Sequence, residues 1–214
     1  MDITNKKVYF LGDSITQGHG ASTEEKCFVS LFQQAYPQAE IINYGIGGTR
    51  IAKNTTPSEC DIWDQDFNLR AEAMNDGADL IVVFGGTNDY GHGDAVMGVF
   101  GDKDPYTFYG ALYTLCEKLL LKYPLAKIVL LTPLHRLNET DKNALGNELV
   151  DYVRAIRETA EFFSLPVLDL FKVSGMNPAV AKVQETMMPD GLHPNDAGYQ
   201  RLFELIDAFI KNAI

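Results

Sequence analysis

Short apolar runs alternate with helical stripes along this chain, and that alternation limits its possible folds more than any other feature. The runs LIVVF and KIVLL are apolar without a polar–apolar alternation, which is typical of parallel strands that are covered on both faces. Strands that alternate with helices predict a parallel sheet with helices on both sides. The five predicted strands are Val8–Leu11, Ile41–Asn43, Leu80–Phe84, Ile128–Leu131 and Val167–Leu170.

Between these runs, apolar residues recur at the spacing of a helix. We therefore expect an α/β protein: a three-layer α/β/α sandwich around a five-stranded parallel sheet. No repeat, linker or low-complexity segment interrupts the chain, so residues 1–214 are predicted to form a single domain. The predicted helices cover Phe28–Ala35, Phe67–Met74, Phe108–Leu120, Leu149–Phe163 and Asp196–Ile210.

Charge and cysteine usage exclude several classes of function. The net charge is −11, from 18 basic and 29 acidic residues, and this disfavours binding to nucleic acid or to anionic membranes. No apolar segment approaches the ~18 residues that span a bilayer, and the first residues lead into a strand rather than a signal peptide. Cys27, Cys60 and Cys116 form no metal-binding pattern, which favours reduced thiols. We expect a cytoplasmic protein without stable membrane association, and homo-oligomerisation stays open.

Polar and glycine-rich segments follow the predicted strands. In open parallel sheets, ligands bind beyond the carboxyl ends of the strands. These segments should therefore gather on one rim of the sheet, although they come from opposite ends of the chain. In chain order they read GDSITQG, NYGIGG, GGTND, TPLHR and DGLHP.

The segments contain the groups that acyl transfer needs. A serine nucleophile requires a base, and the base requires a group that holds its tautomer. Asp190 and His193 lie three residues apart in a tight loop and offer both to Ser14. Donors for a developing oxyanion are the Ser14 N–H, the GIGG turn and the side-chain amide of Asn88.

Each segment also has a simpler interpretation. Ser14 alone would be a good helix N-cap, and Asn88–Asp89 alone would be a common turn pair. Asp190 and His193 provide only two metal ligands, whereas a zinc site needs at least three, so no metal is predicted. The GIGG turn lacks the spacing of a dinucleotide-binding loop and has no P-loop lysine after it.

The blocks GDSITQG, NYGIGG, GGTND and DGLHP resemble, in order, the four sequence blocks of the SGNH hydrolases, also called GDSL esterases and lipases. The resemblance implies a flavodoxin-like fold and serine-dependent ester hydrolysis without a cofactor. Gly47 stays an alternative to the oxyanion glycine that the resemblance assigns. The residues assigned are Ser14 as nucleophile, His193 as base, Asp190 as its carboxylate, and Gly48 and Asn88 as oxyanion donors.

Further residues are candidates for the pocket wall, each with an alternative. Arg50, Tyr90 and His135 are predicted to bind substrate; the alternatives are a solvated charge, core packing and a structural hydrogen bond. Trp63 and Phe100 lie in the long connections Gly48–Asp66 and Tyr90–Pro105, where each could stack on substrate or pack in the core. The second connection could also act as a lid. Asp13 and Asp89 are predicted to bond loop backbone behind the site, whereas His19 and His92 show no clear role.

The expected partner is a small-molecule ester. We expect a short acyl group, acetyl above all, and the resemblance suggests a carbohydrate alcohol. A lysophospholipase or thioesterase, and a binding module without catalysis, stay open.

Overall fold

Five parallel strands form one sheet in a computed structural model that describes residues 1–214. The strands β1 to β5 span Lys7–Gly12, Glu40–Gly45, Leu80–Phe84, Lys127–Leu131 and Val167–Leu168. Their order across the sheet is β2-β1-β3-β4-β5, so the chain reverses its direction of winding beside β1. The predicted five-stranded parallel sheet is confirmed.

Nine α-helices connect and cover the strands. None of them combines the length and the apolar character that crossing a bilayer requires. In chain order, α1 to α9 span Ser14–Gln17, Phe28–Ala35, Phe67–Ala73, Thr87–His92, Phe108–Lys122, Leu149–Phe162, Leu170–Val173, Ala181–Met187 and Asp196–Ala213.

The two faces of the sheet bury two separate hydrophobic clusters. Successive side chains of a strand point to opposite faces, so β3 sends Ile81 and Val83 into one cluster and Leu80, Val82 and Phe84 into the other. Helices α3, α5 and α6 cover the first face, and α2 and α9 cover the second. This arrangement explains why LIVVF is apolar throughout. Cys27 and Cys116 are buried in these clusters, as predicted.

The register of the sheet brings the strand ends to one level. Gly12 at the end of β1 pairs with Gly45 of β2 and with Phe84 of β3, and Phe84 pairs with Leu131 of β4. The segments after these strands therefore begin side by side on the same rim. This rim carries the polar blocks that the sequence predicts there.

Several predicted boundaries shift by a few residues, and some short helices are not predicted from the sequence. Strand β5 ends at Leu168 rather than Leu170, because the Asp169 side chain accepts from Lys172 N–H and caps α7. Helix α4 occupies Thr87–His92, so the long connection predicted from Tyr90 begins inside a helix. Helix α8 was not expected, since its sequence AKVQETM has a weak apolar stripe and none of its residues is fully buried.

Candidate active site

The position of Ser14 follows from a sharp transition between β1 and α1. A Cβ on Gly12 would overlap the Thr16 side chain, so only glycine allows the helix to start this close to the strand end. Asp13 caps α1 by accepting a hydrogen bond from Ile15 N–H at 3.0 Å. Ser14 is therefore the first residue of the helix rather than its cap, and its own N–H has no intrahelical acceptor.

The loop before α9 holds Asp190 and His193 in a fixed turn. Gly191 has a φ of +77°, a conformation that favours glycine, and its N–H donates to Met188 O. Asp190 Oδ1 accepts from the N–H groups of Leu192 and His193 at 2.9 and 2.7 Å. These bonds orient the other carboxylate oxygen toward the His193 ring.

The structure brings Ser14, Asp190 and His193 together. The Ser14 Oγ lies 3.0 Å from His193 Nε2, and His193 Nδ1 lies 2.7 Å from Asp190 Oδ2. Residues 179 positions apart in the chain thus form one hydrogen-bonded row, which we call the triad. Nδ1 can donate to the carboxylate while Nε2 accepts from the hydroxyl, which is the tautomer that a general base needs.

The pKa values of the triad suit a neutral imidazole beside an ionised carboxylate. Burial lowers the pKa of His193 below its ordinary value, although the hydrogen bond and charge of Asp190 oppose this effect. Burial also favours the neutral form of Asp190, but hydrogen bonds from the His193 side chain and backbone outweigh it and lower the pKa of this carboxyl. The His193 ring is therefore neutral at pH 7.

The glycine turn after β2 lies next to Ser14. A Cβ on Gly47 would lie 3.6 Å from Ser14 Cβ, so this turn borders the hydroxyl. The Gly47 N–H donates to Gln17 Oε1 at 2.8 Å, whereas the Gly48 N–H has no acceptor in the protein. Of the two alternatives that the sequence leaves open, Gly48 is the one whose N–H remains available.

Helix α4 joins Asn88 to the same turn. Asn88 is buried, and its Nδ2 donates one hydrogen to Thr49 O at 3.0 Å, which leaves the other hydrogen of the amide free. Asp89 accepts from Ile51 N–H and Ala52 N–H at 3.0 and 2.8 Å. These bonds fix the amide of α4 against the segment that carries Gly48.

Asp13 and Asp89 support the site from behind, as predicted. Both carboxyls are buried, and burial raises the pKa of Asp13 to about 7 and that of Asp89 to about 6. Their hydrogen bonds from backbone N–H groups act in the opposite direction. Each carboxyl therefore serves loop geometry and does not contact the Ser14 hydroxyl.

Two residues that are predicted to bind substrate, Tyr90 and His135, make structural contacts within the protein. Tyr90 is only 7% exposed, packs against Tyr152 in the core, and donates its hydroxyl to the carbonyl groups of Asn138 and Asp141. His135 binds Glu139 through Nδ1 at 2.7 Å, and its ring lies on Phe171. Neither ring nitrogen of His135 bonds to the triad. These contacts fit the core packing that the sequence leaves open for Tyr90 and the structural hydrogen bond that it leaves open for His135, and contact of either side chain with substrate stays a prediction.

Arg50 is more deeply placed than a solvated charge would be. Its side chain is 2% exposed, and its guanidinium binds His92, Ser58, Asp64 and the Trp63 carbonyl. It borders a cavity of about 380 Å³ that Trp63 and His92 also line. Arg50 thus braces the segment after Gly48, and its contact with substrate stays a prediction.

Several residues near the site carry no local sequence signal. Arg136, the neighbour of His135, donates to the Thr87 carbonyl and hydroxyl at 3.1 and 3.2 Å and supports the start of α4. The His19 ring lies against the His193 ring, with centroids 4.4 Å apart. Trp63 covers Gly48 so closely that a Cβ there would overlap the indole. These contacts arise only when distant segments meet on the rim.

Similarity to known proteins identifies the family to which the chain belongs. Residues 10–201 match the profile of the GDSL-like lipase/acylhydrolase family. The chain belongs to this family, whose members are hydrolases of the esterase and lipase type. No curated protein matches the sequence.

Solved structures resemble the chain over its whole length. One crystal structure is 32% identical, with a TM-score of 0.87 over 100% of this chain and 99% of that one. A protein of Lactobacillus plantarum is 29% identical, with a TM-score of 0.86 over 100% of both chains. A two-domain esterase active on acetylated mannans shares the fold at 22% identity and a TM-score of 0.65, over 96% of this chain and 49% of that one.

Proposed function

We propose that this protein is a serine esterase that hydrolyses short-chain esters, acetyl esters above all. The observation that carries the proposal is the 3.0 Å contact between Ser14 Oγ and His193 Nε2, with Asp190 on the opposite ring nitrogen. A hydroxyl, an imidazole and a carboxylate in this row form the arrangement that activates a serine nucleophile.

The first half of the reaction forms an acyl-enzyme. His193 Nε2 takes the proton of Ser14 as Oγ attacks the ester carbonyl carbon, whose oxygen becomes an oxyanion. The N–H groups of Ser14 and Gly48 and the amide of Asn88 stabilise that oxygen, and each such donor is worth about 3–4 kcal/mol in acyl transfer. The protonated His193 then gives its proton to the alcohol oxygen as the bond to carbon breaks.

The second half releases the acid. A water molecule gives a proton to His193 Nε2 and attacks the acyl carbon through a second tetrahedral intermediate. The protonated His193 returns the proton to Ser14 Oγ as the ester bond to the serine breaks. Throughout the cycle Asp190 keeps Nδ1 protonated and stabilises the positive ring.

The position of Trp63 favours a substrate with a short acyl group. Its indole rests on Gly48, directly beside the position where the carbonyl of the substrate would be held. It also contacts the ring of His92, with centroids 5.0 Å apart, and its carbonyl accepts from the buried Arg50. This bracing limits how far the ring can move to admit a longer chain.

The lining of the cavity beside Trp63 favours a substrate whose alcohol part is polar. One of its nine lining residues is hydrophobic, and the others include Arg50, His92 and Asp94. Polar and charged side chains form hydrogen bonds with the hydroxyl groups of a sugar, whereas a lipid tail has no group that could bond to them. Since the esterase that acts on acetylated mannans has the same fold, acetylated sugars are the first natural substrates to test.

The test is a panel of p-nitrophenyl acetate, butyrate and octanoate with acetylated oligosaccharides beside it. We expect the highest kcat/KM on acetate, and a loss in kcat of about 10⁴-fold or more in Ser14→Ala. Undiminished turnover in Ser14→Ala would overturn the proposal. A maximum on octanoate would instead favour a lysophospholipase or thioesterase, and a folded protein without activity on any ester would favour a binding module.

A variant of Trp63 tests the acyl limit separately. Trp63→Ala should raise kcat/KM for octanoate relative to acetate by about tenfold or more, because it removes the ring over Gly48. Phe100→Ala is the matched control, since Phe100 lies on the other long connection and packs against Phe162 and Tyr109. An equal effect of both variants would contradict this role of Trp63.

The proposed partner is thus a small-molecule ester, and the proposed location is the cytoplasm. Cys27, Cys60 and Cys116 are all free thiols, which fits a reducing compartment. Fractionation of the native cells tests the location.

A further inference from the structure

A second imidazole, that of His19, lies beside the triad. The rings of His19 and His193 meet edge to face, with centroids 4.4 Å apart and planes at 65°. His19, Asp190 and His193 each offer one potential ligand atom, and these three atoms lie within 4.8 Å of one another. We call these three residues the His19 cluster.

The backbone fixes His19 in this place while its ring stays free. The His19 N–H donates to Ser14 O at 2.9 Å, and its carbonyl accepts from the buried Tyr199 hydroxyl at 2.7 Å. The next residue, Gly20, lies so close to Pro194 that a Cβ would overlap the Pro194 carbonyl. The exposed imidazole of His19 forms no hydrogen bond, so both ring nitrogens are available.

We propose that the His19 cluster is a binding site for a borderline-soft divalent cation, of which Zn²⁺ is the prototype. Two imidazoles and one carboxylate, with a fourth position open to water, form a set of ligands that Zn²⁺ accepts in tetrahedral geometry. The set holds a single carboxylate, whereas Mg²⁺ and Ca²⁺ are bound through oxygen ligands. The site therefore selects against these two ions.

Small movements bring the ligands to bonding distance. Tetrahedral ligands at Zn–N and Zn–O distances of about 2.0–2.1 Å lie about 3.3 Å apart. The ligand atoms lie within 4.8 Å of one another, so no pair has to close by more than about 1.5 Å. Rotation of the exposed His19 side chain changes the distances from its ring nitrogens to the other two ligands.

Metal binding at this site would switch off the proposed esterase, a consequence that rests on the proposed function. A neutral imidazole has one lone pair in the ring plane. If Nε2 of His193 binds the metal, that lone pair can no longer take the Ser14 proton. If Nδ1 binds it, the proton moves to Nε2 and the contact with Asp190 Oδ2 is lost. Either mode removes the base.

Binding is tested without any ester, in the Ser14→Ala protein, with Co²⁺ as a spectroscopic substitute for Zn²⁺ and with Zn²⁺ in competition. We expect one Co²⁺ per chain with the absorption bands of a tetrahedral site, displaced by Zn²⁺ but not by Mg²⁺. Adding His19→Ala should weaken the affinity by about tenfold or more, and His19→Cys should restore it, because a thiolate also binds zinc.

His135→Ala in the same background is the matched control. His135 also pairs with a carboxylate, Glu139, but has no third ligand beside it, so this variant should bind the metal as before. Equal Co²⁺ affinity with and without His19, or an equal loss in His135→Ala, would overturn the proposal.

Inhibition is measured in the protein that keeps Ser14. Micromolar Zn²⁺ should lower the hydrolysis of p-nitrophenyl acetate, and His19→Ala should raise the half-inhibitory Zn²⁺ concentration by about tenfold or more relative to its own metal-free rate. Inhibition that is identical in His19→Ala would contradict the site. A protein that binds Co²⁺ through His19 but hydrolyses no ester would keep the metal site and reject the proposed function.

Discussion

The protein contains two histidine–carboxylate pairs that look alike locally and differ in their surroundings. His193 binds Asp190, three residues before it, through Nδ1 at 2.7 Å, and His135 binds Glu139, four residues after it, through Nδ1 at the same distance. Both rings are largely buried, with side chains 15% and 20% exposed. The second nitrogen of His193 faces Ser14 Oγ at 3.0 Å, whereas the ring of His135 lies on Phe171.

The difference shows that the pair itself does not define an active site. What distinguishes His193 is the strand end opposite it, where a helix starts at Ser14 next to the glycine turn and Asn88. Glu139 instead accepts from Arg136 N–H and fixes its own loop. The same bond thus orients a base in one place and braces backbone in the other.

Exchanging the two histidines for alanine gives the largest contrast. His193→Ala should lower kcat on p-nitrophenyl acetate by about 10⁴- to 10⁶-fold, because the Ser14 proton then has no acceptor. His135→Ala should leave kcat within about twofold and lower the melting temperature, since it removes the contact with Phe171. Stopped assays and thermal melts of both variants check this, and comparable losses of kcat in both would break the comparison.

The two carboxylates should differ in the same direction by a smaller amount. Asp190→Asn should lower kcat by about 10³- to 10⁴-fold, since the amide cannot hold His193 in the tautomer that accepts the serine proton. Glu139→Gln should keep full activity, because its partner is not a base. Normal activity of Asp190→Asn would show that the backbone of the turn alone orients His193.

A variant of Asn88 tests the proposed oxyanion donors, which lie near the His193–Asp190 pair and not near the His135–Glu139 pair. Asn88→Ala should lower kcat by about 10²- to 10³-fold with little change in KM, since the amide acts on the oxyanion. Asn68→Ala is the control: this buried asparagine also donates to a backbone carbonyl, Ala111 O, at 2.9 Å, but it lies on α3. A rise in KM together with the fall in kcat, or an equal loss in both variants, would argue for a structural effect of Asn88.

The pH profile carries the smallest expected effect. His193 must be neutral to act, so activity is present above its pKa and is lost as the pH falls through it. Because burial lowers that pKa, kcat/KM should rise with pH to a plateau with a midpoint below about 6.5, the ordinary value. His135→Ala should leave the midpoint unchanged, and a midpoint above 7 would contradict the assignment of His193.

The sequence carries enough information for the sheet, through local apolar runs, and for the members of the triad, through four blocks that follow the family's order along the chain. The run LIVVF is apolar on both faces and predicts β3 from end to end, and Asp190 and His193 lie in one turn. The resemblance already assigns Gly48 as an oxyanion donor, and the structure adds that the Gly47 N–H is bound to Gln17 whereas the Gly48 N–H has no acceptor.

The sequence is least informative about residues whose partners are distant in the chain. Tyr90 follows the GGTND block but points into the core, because α4 turns its face toward Tyr152. The sequence singles out His135, whereas the structure shows that its neighbour Arg136 donates to the Thr87 carbonyl at the start of α4. The nearness of His19 to His193 exists only after the two ends of the chain meet. No periodicity or motif records such contacts.

Labelling with a fluorophosphonate probe tests the triad most directly, because the probe reacts preferentially with a serine oxygen that a neighbouring base has activated. Mass spectrometry of the intact and digested protein should find one adduct per chain, on Ser14, absent from Ser14→Ala and His193→Ala and retained in His135→Ala. A folded protein that stays unlabelled, or carries the adduct on another residue, would contradict the proposed mechanism.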